Sequence, residues 1–250
     1  MNFYLRRLAA RERSQQADRH LAYFLTFTAG AANAGGFMAV RQYTSHMSGI
    51  VSAMADNFVL GNFALVVAGL GAFLAFIGGA ACSAILVNWG RRARLQSEYA
   101  LPLLLEAALL AAFAGLGNAL EVELWLFLPA TVVLLCFIMG LQNAIITKLS
   151  QSRIRTTHVT GLVTDMGIEI GKMLYWNIAP SDAARPPVRA DGEKLGLLAC
   201  LVGLFFSGGV IGALAFGIMG YTAALYLAAL VFLLAIVPVF DDLRAFLRRR

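Results

Sequence analysis

The sequence predicts an all-α polytopic membrane protein with about six transmembrane helices. The expected arrangement is a 3+3 inverted-topology repeat with two short re-entrant or broken motif helices. Three observations favour this class: the composition, a series of long apolar segments, and a motif that occurs twice. Of the 250 residues, 60% are hydrophobic and 14% are charged, and the mean hydropathy is +0.74. Soluble domains are about 45–50% apolar and about 25% charged, so the lipid bilayer is an expected partner.

Long apolar segments are the predicted membrane spans. A helix needs about 20 apolar residues to cross a hydrocarbon core of about 30 Å. The first segment follows an arginine-rich stretch, as in a signal peptide. Its length and the absence of a small-x-small cleavage site favour a retained span instead. The apolar segments cover approximately residues 21–40, 63–88, 100–119, 124–147, 195–219 and 221–240.

A repeated motif divides the chain into two related halves. Residues 44–52 read TSHMSGIVS and residues 156–164 read TTHVTGLVT, and each follows a Gly-x-x-Asn-Ala unit that begins at Gly30 or Gly140. Such a repeat indicates an internal duplication. The predicted organisation is a cytoplasmic N-terminal segment, a first membrane repeat, a second membrane repeat and a basic cytoplasmic tail, over residues 1–20, 21–120, 121–240 and 241–250.

The distribution of positive charge predicts the topology. With six spans and a cytoplasmic N-terminus, the basic clusters at 91–94, 148–155, 185–194 and 244–250 all lie on the cytoplasmic side. Eight spans would place the first two clusters outside. Three spans in each repeat is an odd number, so the second copy enters the membrane from the opposite side. The first motif then dips in from the outer face and the second from the cytoplasmic face.

The two motifs predict a substrate site near the middle of the membrane. If each motif begins a half-helix, its free backbone N–H groups and positive dipole end favour an anion. Protonation of the two motif histidines would couple binding to pH. The alternative is that the Ser and Thr residues only pack helices together. The candidate substrate-binding residues are Asn33, Thr44, Ser45, His46, Ser48, Gly49, Ser52, Asp56, Asn143, Thr156, Thr157, His158, Thr160, Gly161, Thr164 and Asp165.

Two further acids lie in apolar surroundings and are candidates for a proton relay, Glu106 and Glu169. Charges in a membrane are costly and usually face a cavity or a partner. For Glu106 the alternative is a protonated or hydrogen-bonded helix contact. Paired glycines at 78–79 and 208–209, together with Gly212, indicate close helix crossings.

Other classes of function find little support in the chain. The three cysteines lack Cys-x-x-Cys spacing, and no metal cluster, nucleophile or phosphate-binding loop is evident. We therefore expect no enzyme activity, no metal and no cofactor. The net charge of +6 comes mainly from arginines that flank spans, so it reports topology and predicts no nucleic-acid partner. A homo-oligomer is compatible with the sequence.

The motifs resemble those of the YoaK family of bacterial integral membrane proteins, a domain of unknown function of the DUF1275 type. The resemblance covers approximately residues 20–240 and is carried by GLQNA at 140–144, RTTHVTG at 155–161 and HMSG at 46–49. The second motif is specific. The first is looser, because family members usually carry an acid near Asn33 and Thr-Gly-Asn at positions 48–50. The resemblance implies a multi-pass protein of the bacterial inner membrane, and no established substrate.

The leading functional hypothesis is a secondary transporter or facilitator of a small solute, with an anion favoured over a cation and with both motifs at the central site. The rival hypothesis is a non-transport membrane scaffold or sensor, in which the motifs only pack helices.

Overall fold

The computed structural model describes residues 15–40, 42–119, 124–149, 159–176 and 187–247, and within these ranges all regular structure is helical. Six long helices coincide with the six predicted apolar segments, and two short helices follow the repeated motifs. The helices are α1 (Gln15–Val40), α2 (Met47–Val59), α3 (Phe63–Arg92), α4 (Ala100–Ala119), α5 (Leu124–Leu149), α6 (Val159–Leu174), α7 (Gly192–Met219) and α8 (Ala223–Leu247), with a 3₁₀ turn at Gly220–Thr222 before α8.

Three helical stretches of the described chain are long and apolar enough to cross a membrane: Phe63–Arg92, Ala130–Lys148 and Gly192–Arg244. The last contains both α7 and α8, and a shorter apolar helix covers Ala100–Gly115. The protein is therefore a helical membrane protein. Helix α1 is less apolar because it is rich in Ala, Gly and Thr. It packs against α5, α7 and α8, so most of its residues are enclosed by protein.

Each half of the chain packs mainly against the other half. Helix α1 lies against α7 and α3 lies against α5, and these are the most extensive helix pairs, followed by α4 with α8. Helices α1 and α7 run parallel, since Arg19 meets Glu193 near their starts and Gly35 meets Phe216 near their ends. Helices α3 and α5 are also parallel, since Gly71 faces Val133 and Asn88 faces Lys148.

Equivalent helices of the two halves run in opposite directions. Helices α1 and α5 carry the two Gly-x-x-Asn-Ala units and are antiparallel, because Gln142 bonds Leu25 whereas Leu135 contacts Gly36. Helices α4 and α8 are antiparallel too, because the chain just before α4 meets Asp242 near the end of α8.

A Phe-x-x-Gly sequence forms both principal helix crossings. In α1 and α7 a side chain on Gly30 would overlap the carbonyl of Phe205, and one on Gly208 would overlap the carbonyl of Phe27. Each glycine therefore lets one backbone lie directly on the other. The prediction that the glycine pairs mark close helix crossings is confirmed.

The same reciprocal contact joins α3 and α5, where Gly79 lies on Phe137 and Gly140 lies on Phe76. In every contact the glycine lies on the carbonyl of the phenylalanine three residues before the partner glycine. By these contacts Gly79 of α3 corresponds to Gly208 of α7. Superposing the sequence pairs Gly78-Gly79 and Gly208-Gly209 would match Gly79 with Gly209 instead, one residue away.

Several helix ends meet at one end of the bundle, which we call the basic end and define by Arg91, Arg92, Arg94 and Lys148. The Asp242 carboxylate accepts hydrogen bonds from the backbone N–H groups of Gln96 at 3.0 Å and Ser97 at 2.9 Å, and from the Ser97 hydroxyl at 2.6 Å. These bonds join the α3–α4 connection to the end of α8. The starts of α1 and α7 lie at the same end of the bundle.

Candidate substrate site at the repeated motifs

The chain turns back along α1 directly before the first motif helix. The Asn33 Oδ1 atom accepts hydrogen bonds from the Ser45 backbone N–H at 3.3 Å and from the Ser45 hydroxyl at 2.8 Å. Asn33 lies seven residues before the last residue of α1, which is about 10 Å at a rise of 1.5 Å per residue. The segment after α1 therefore folds back by that distance, and α2 begins alongside α1 rather than beyond its end.

Helix α2 begins without a side-chain cap. His46 is its N-cap residue, and the first bond of the helix runs from the Ile50 N–H to the His46 carbonyl at 3.1 Å. The predicted position of Thr-Ser-His at the start of this helix is confirmed, but the Ser45 hydroxyl bonds Asn33 and does not cap α2. Unsatisfied N–H groups in a first helical turn carry partial positive charge and attract anions.

A cavity of about 800 Å³ runs along α2 and is closed by the end of α1, the first part of α3 and Val132 and Val133 of α5. Its polar lining includes Gln42, Tyr43, His46 and Asn57, and most of the remaining lining is apolar. The Tyr43 ring stacks on Phe37 with centroids 4.6 Å apart. An apolar cleft of this size with a few polar groups is typical of a small-molecule site.

One buried hydroxyl of the first motif has no hydrogen-bond partner within the described chain. Thr44 is fully buried, and its Oγ1 atom is unpaired. Leaving a buried hydroxyl unpaired costs about 1–3 kcal/mol. A ligand or a water molecule that reached Thr44 would remove this cost.

Only some predicted residues of the first motif face the cavity. His46 and Gly49 line it, and they are continued along α2 by Ala53 and Asn57 at positions i+7 and i+11 from His46. Ser48, Ser52 and Asp56 are exposed and lie outside the cavity lining. The serine face of α2 thus differs from its cavity face, because successive helical residues are rotated by about 100°. Binding roles for these three residues stay predictions.

The second motif is described only in part. Thr156, Thr157 and His158 lie outside the described residues. Thr160, Gly161 and Thr164 are exposed on α6, and the Thr164 hydroxyl bonds the Thr160 carbonyl at 2.8 Å. Asn143, the counterpart of Asn33, is buried, and its carbonyl accepts a bond from the Thr147 hydroxyl at 2.8 Å. The substrate contacts predicted for these residues stay predictions.

Glu169 connects α6 to the start of α7. Its carboxylate is buried and accepts a bond from the Asp191 backbone N–H at 3.0 Å, and it lies 3.0 Å from the Lys172 ammonium and 3.4 Å from that of Lys194. Lys194 also approaches Asp165, at 3.8 Å. The Asp191 N–H and the Lys172 ammonium lower the pKa of Glu169 to about 2. A carboxylate that stays ionised at neutral pH favours an anchor, and a proton-relay role stays a prediction.

The first half uses the equivalent position in the same way. A shift of 112 residues that superposes the two motifs places Asn57 on Glu169. The Asn57 Oδ1 atom accepts a bond from the Asn62 amide at 3.2 Å, and Asn62 is the N-cap residue of α3, as Asp191 is of α7. Each motif helix is therefore connected to the start of the next helix by the same position, through amides in one half and charges in the other.

Two buried polar groups occupy the helices between the motifs. Glu106 is buried in α4, and one of its carboxylate oxygens has no partner within the described chain. Gln142 crosses from α5 to α1, where its amide donates to the Leu25 carbonyl at 3.2 Å and to the Thr28 hydroxyl at 2.8 Å. The unpaired oxygen of Glu106 fits either a proton carrier or a protonated contact, so both interpretations stay open.

Sequence reasoning missed several lining residues. Phe37, Gln42 and Tyr43 flank the first motif, and their side chains reach the cavity because the chain turns back there. Asn57 could have been identified from the sequence, because the shift that superposes the two motifs aligns it with Glu169. Within the described ranges no group of three His, Cys, Asp or Glu side chains could bind a metal ion.

The chain matches a family model described as "Protein of unknown function (DUF1275)" over residues 21–237. No curated protein and no solved structure matches it. The matched range contains both motifs, both principal helix crossings and the cavity. Because the match covers most of the chain, the protein belongs to this family of unknown function, DUF1275, as the YoaK-type motifs predict.

Proposed function

We propose that the protein is a secondary transporter or facilitator that carries a small solute, preferably an anion, across the bacterial inner membrane. The observation that carries this proposal is the return of the chain to Asn33, which places the uncapped start of α2 alongside α1, at a cavity of about 800 Å³. Irregular backbone inside a membrane protein is tolerated where it is buried or lines a cavity. Broken helices of this kind form substrate sites in transporters.

The directions of the helices support an inverted repeat of three spans in each half. Under this proposal α1, α3 and α4 cross the membrane in the first half, and α5, α7 and α8 cross it in the second. The antiparallel contacts of α1 with α5 and of α4 with α8 agree with this inversion. Helices α2 and α6 are the re-entrant pair, and both termini are cytoplasmic.

The charge of the cavity supports an anionic solute. None of the described residues that line the cavity is acidic, and the unpaired N–H groups in the first turn of α2 supply positive character. A cation would meet no opposite charge among these residues. The apolar walls and the stacked Phe37 and Tyr43 rings favour a small organic anion over a fully hydrated ion.

Anion flux into proteoliposomes tests the proposal, with chloride, nitrate, acetate and phosphate as labelled probes. We expect the protein to raise the flux of at least one probe above that of empty liposomes. Gly49→Leu should return this flux to the empty-liposome level, because the added side chain enters the cavity beside His46. Ala55→Leu is the matched control. It places the same side chain on the same helix, at an exposed position outside the cavity lining, and should retain the flux.

The second candidate is a non-transport scaffold or sensor, favoured by two observations. The Ser45–Asn33 hydrogen bonds and the glycine crossings account for part of the motif by packing alone. If no probe moves faster than in empty liposomes, and Gly49→Leu and Ala55→Leu are equally stable and equally inactive, the scaffold interpretation replaces the transporter. Equal flux in wild type and in a folded Gly49→Leu variant would also refute the central site.

A further inference from the structure

A group of cations at the basic end has too few acidic partners. Arg91 lies 3.5 Å from the Glu98 carboxylate and donates to the Tyr99 hydroxyl at 3.2 Å. Arg92 and Arg94 are exposed and make no ion pair within the described chain. The Lys148 ammonium bonds only neutral acceptors there, the Ala84 carbonyl at 3.3 Å and the Asn88 amide oxygen at 3.0 Å. Among the described residues, these four cations therefore make one ion pair, and the neighbouring Asp242 carboxylate is bonded to Gln96 and Ser97 instead.

Arg94 occupies a backbone conformation that favours glycine. Its φ is +56°, and it follows the end of α3, where the Leu95 N–H bonds the Gly90 carbonyl at 2.9 Å. Glycine is the usual residue at this left-handed position after a helix, because other residues are strained there. An arginine at this position keeps a cation beside Arg91 and Arg92 at some cost to the backbone.

The duplicated fold does not require charges at these positions. The opposite end of the bundle contains the equivalent contact, in which Met38 of α1 lies against Gly217 of α7. When the two helix crossings are superposed, Gly30 matches Gly140 and Gly208 matches Gly79. Met38 then corresponds to Lys148 of α5, and Gly217 corresponds to Asn88 of α3. The same packing is therefore made without any charge in the other half, so the cations serve something other than the helix contact.

An apolar stripe on α3 leads to the cations. Exposed side chains follow one face of this peripheral helix and end at Asn88, Trp89 and Arg92. An acyl chain along such a stripe would place its headgroup at the arginines. The apolar members of the stripe are Leu70, Leu74, Ile77, Ile85 and Trp89.

We propose that Arg91, Arg92, Arg94 and Lys148 bind the phosphate headgroup of an anionic phospholipid whose acyl chain lies along α3. Basic pockets between helices near a membrane surface bind anionic headgroups, and each cation there contributes about 1 kcal/mol, roughly a fivefold change in affinity. This site is separate from the cavity beside α2, so it stands or falls independently of the proposed transport.

The test compares the thermal unfolding midpoint of the purified full-length protein in mixed micelles of detergent with phosphatidylglycerol or phosphatidylcholine. Phosphatidylglycerol should raise the midpoint in a saturable manner and phosphatidylcholine should not. Removing two cations in Arg92→Gln/Lys148→Gln should weaken the apparent lipid affinity roughly 25-fold, and Arg94→Gly should weaken it roughly fivefold. The control Arg19→Gln removes a cation that is already paired with Glu193 and should retain the wild-type affinity.

Arg94→Gly separates binding from folding, because glycine suits the left-handed backbone and should not lower the midpoint measured in phosphatidylcholine. Weaker phosphatidylglycerol binding by this stable variant supports the proposal even if the double variant fails to fold. Unchanged phosphatidylglycerol affinity in Arg94→Gly and in a folded double variant overturns it. An equal midpoint shift from inorganic phosphate at the same concentration would assign the site to free phosphate and overturn the lipid proposal.

Discussion

Asn33 shows how one side chain determines the path of the backbone. Its amide oxygen accepts both polar hydrogens of Ser45, and this contact brings residues 42–46 back beside α1. The sequence identified Asn33 as a site residue from the repeated Gly-x-x-Asn-Ala unit. It did not identify Ser45 as the partner, because that contact depends on a reversal of the chain that local pattern does not encode.

Replacing Asn33 tests this contact. Asn33→Leu has a similar size but no acceptor, so it leaves the Ser45 donors unpaired and should lower the free energy of unfolding by about 1–3 kcal/mol. Asn33→Asp keeps the acceptor but buries a carboxyl group, so it should lose less stability than Asn33→Leu. Unfolding in increasing sodium dodecyl sulfate measures both variants. Equal stability of the leucine and aspartate variants would show that the bond to Ser45 does not position the segment.

At the scale of elements, apolar length predicted where helices form, whereas the motif did not predict which face of α2 lines the cavity. All six long segments became helices within seven residues of their expected ends. The cavity face of α2 follows His46, Gly49, Ala53 and Asn57, a helical spacing that the repeated Ser and Thr residues do not share. Helix crossings were predicted from glycine pairs, but their partners were not, since each pair joins different halves of the chain.

The helix crossings provide a matched pair of glycine substitutions. Gly30→Ala places a methyl group against the Phe205 carbonyl and should lower the free energy of unfolding by about 1–3 kcal/mol. Gly203 lies on α7, and no atom lies within 4 Å of the position that a methyl group would take there, so Gly203→Ala should be neutral or stabilising by up to about 1 kcal/mol. Unfolding midpoints in detergent measure the difference. Similar destabilisation by both substitutions would contradict the close crossing.

The connection of α6 to α7 should be sensitive to acid. The pKa of Glu169 falls from 4.5 to about 2 because the Asp191 N–H and Lys172 favour the carboxylate. A lowered pKa in the folded state adds stability that is complete above about pH 4.5 and is lost as the pH falls towards 2. The loss of thermal stability between pH 5 and pH 3 should therefore be smaller in Glu169→Gln than in wild type. An identical loss in both proteins would show that Glu169 does not anchor α6.

At the scale of the whole molecule, the helix directions bring together the basic clusters that the positive-inside rule assigns to one side of the membrane. The positive-inside rule predicted one cytoplasmic side for the clusters near residues 92 and 191. The structure brings the end of α3 and the start of α7 to the same end of the bundle, although the two regions are far apart in sequence. The exchange of partners between the halves was not predictable from charge, because it depends on which helix faces fit together.

Cysteine labelling of intact cells tests the orientation in the membrane. Single cysteines at Arg92 and Asp191 should react only after permeabilisation, whereas one at Leu60, in the turn before α3, should react in intact cells. Ser152 and Arg250 should behave as Arg92 does, and Glu123 as Leu60 does; these three residues lie outside the described residues. The native cysteines are first replaced by alanine. Labelling of Arg92 from outside would contradict the inverted repeat with cytoplasmic termini.

The exchange of partners between the halves has a consequence for biosynthesis. Gly30 of α1 meets its partner Gly208 of α7 only after about 180 further residues have been made, which takes roughly 10–35 s at 5–20 residues per second. The first half enters the membrane during this interval with the glycine faces of α1 and α3 uncovered. Completion of both crossings must therefore follow translation of the second half. If the two halves were translated as separate chains, the glycine faces of α1 and α3 would still match those of α7 and α5.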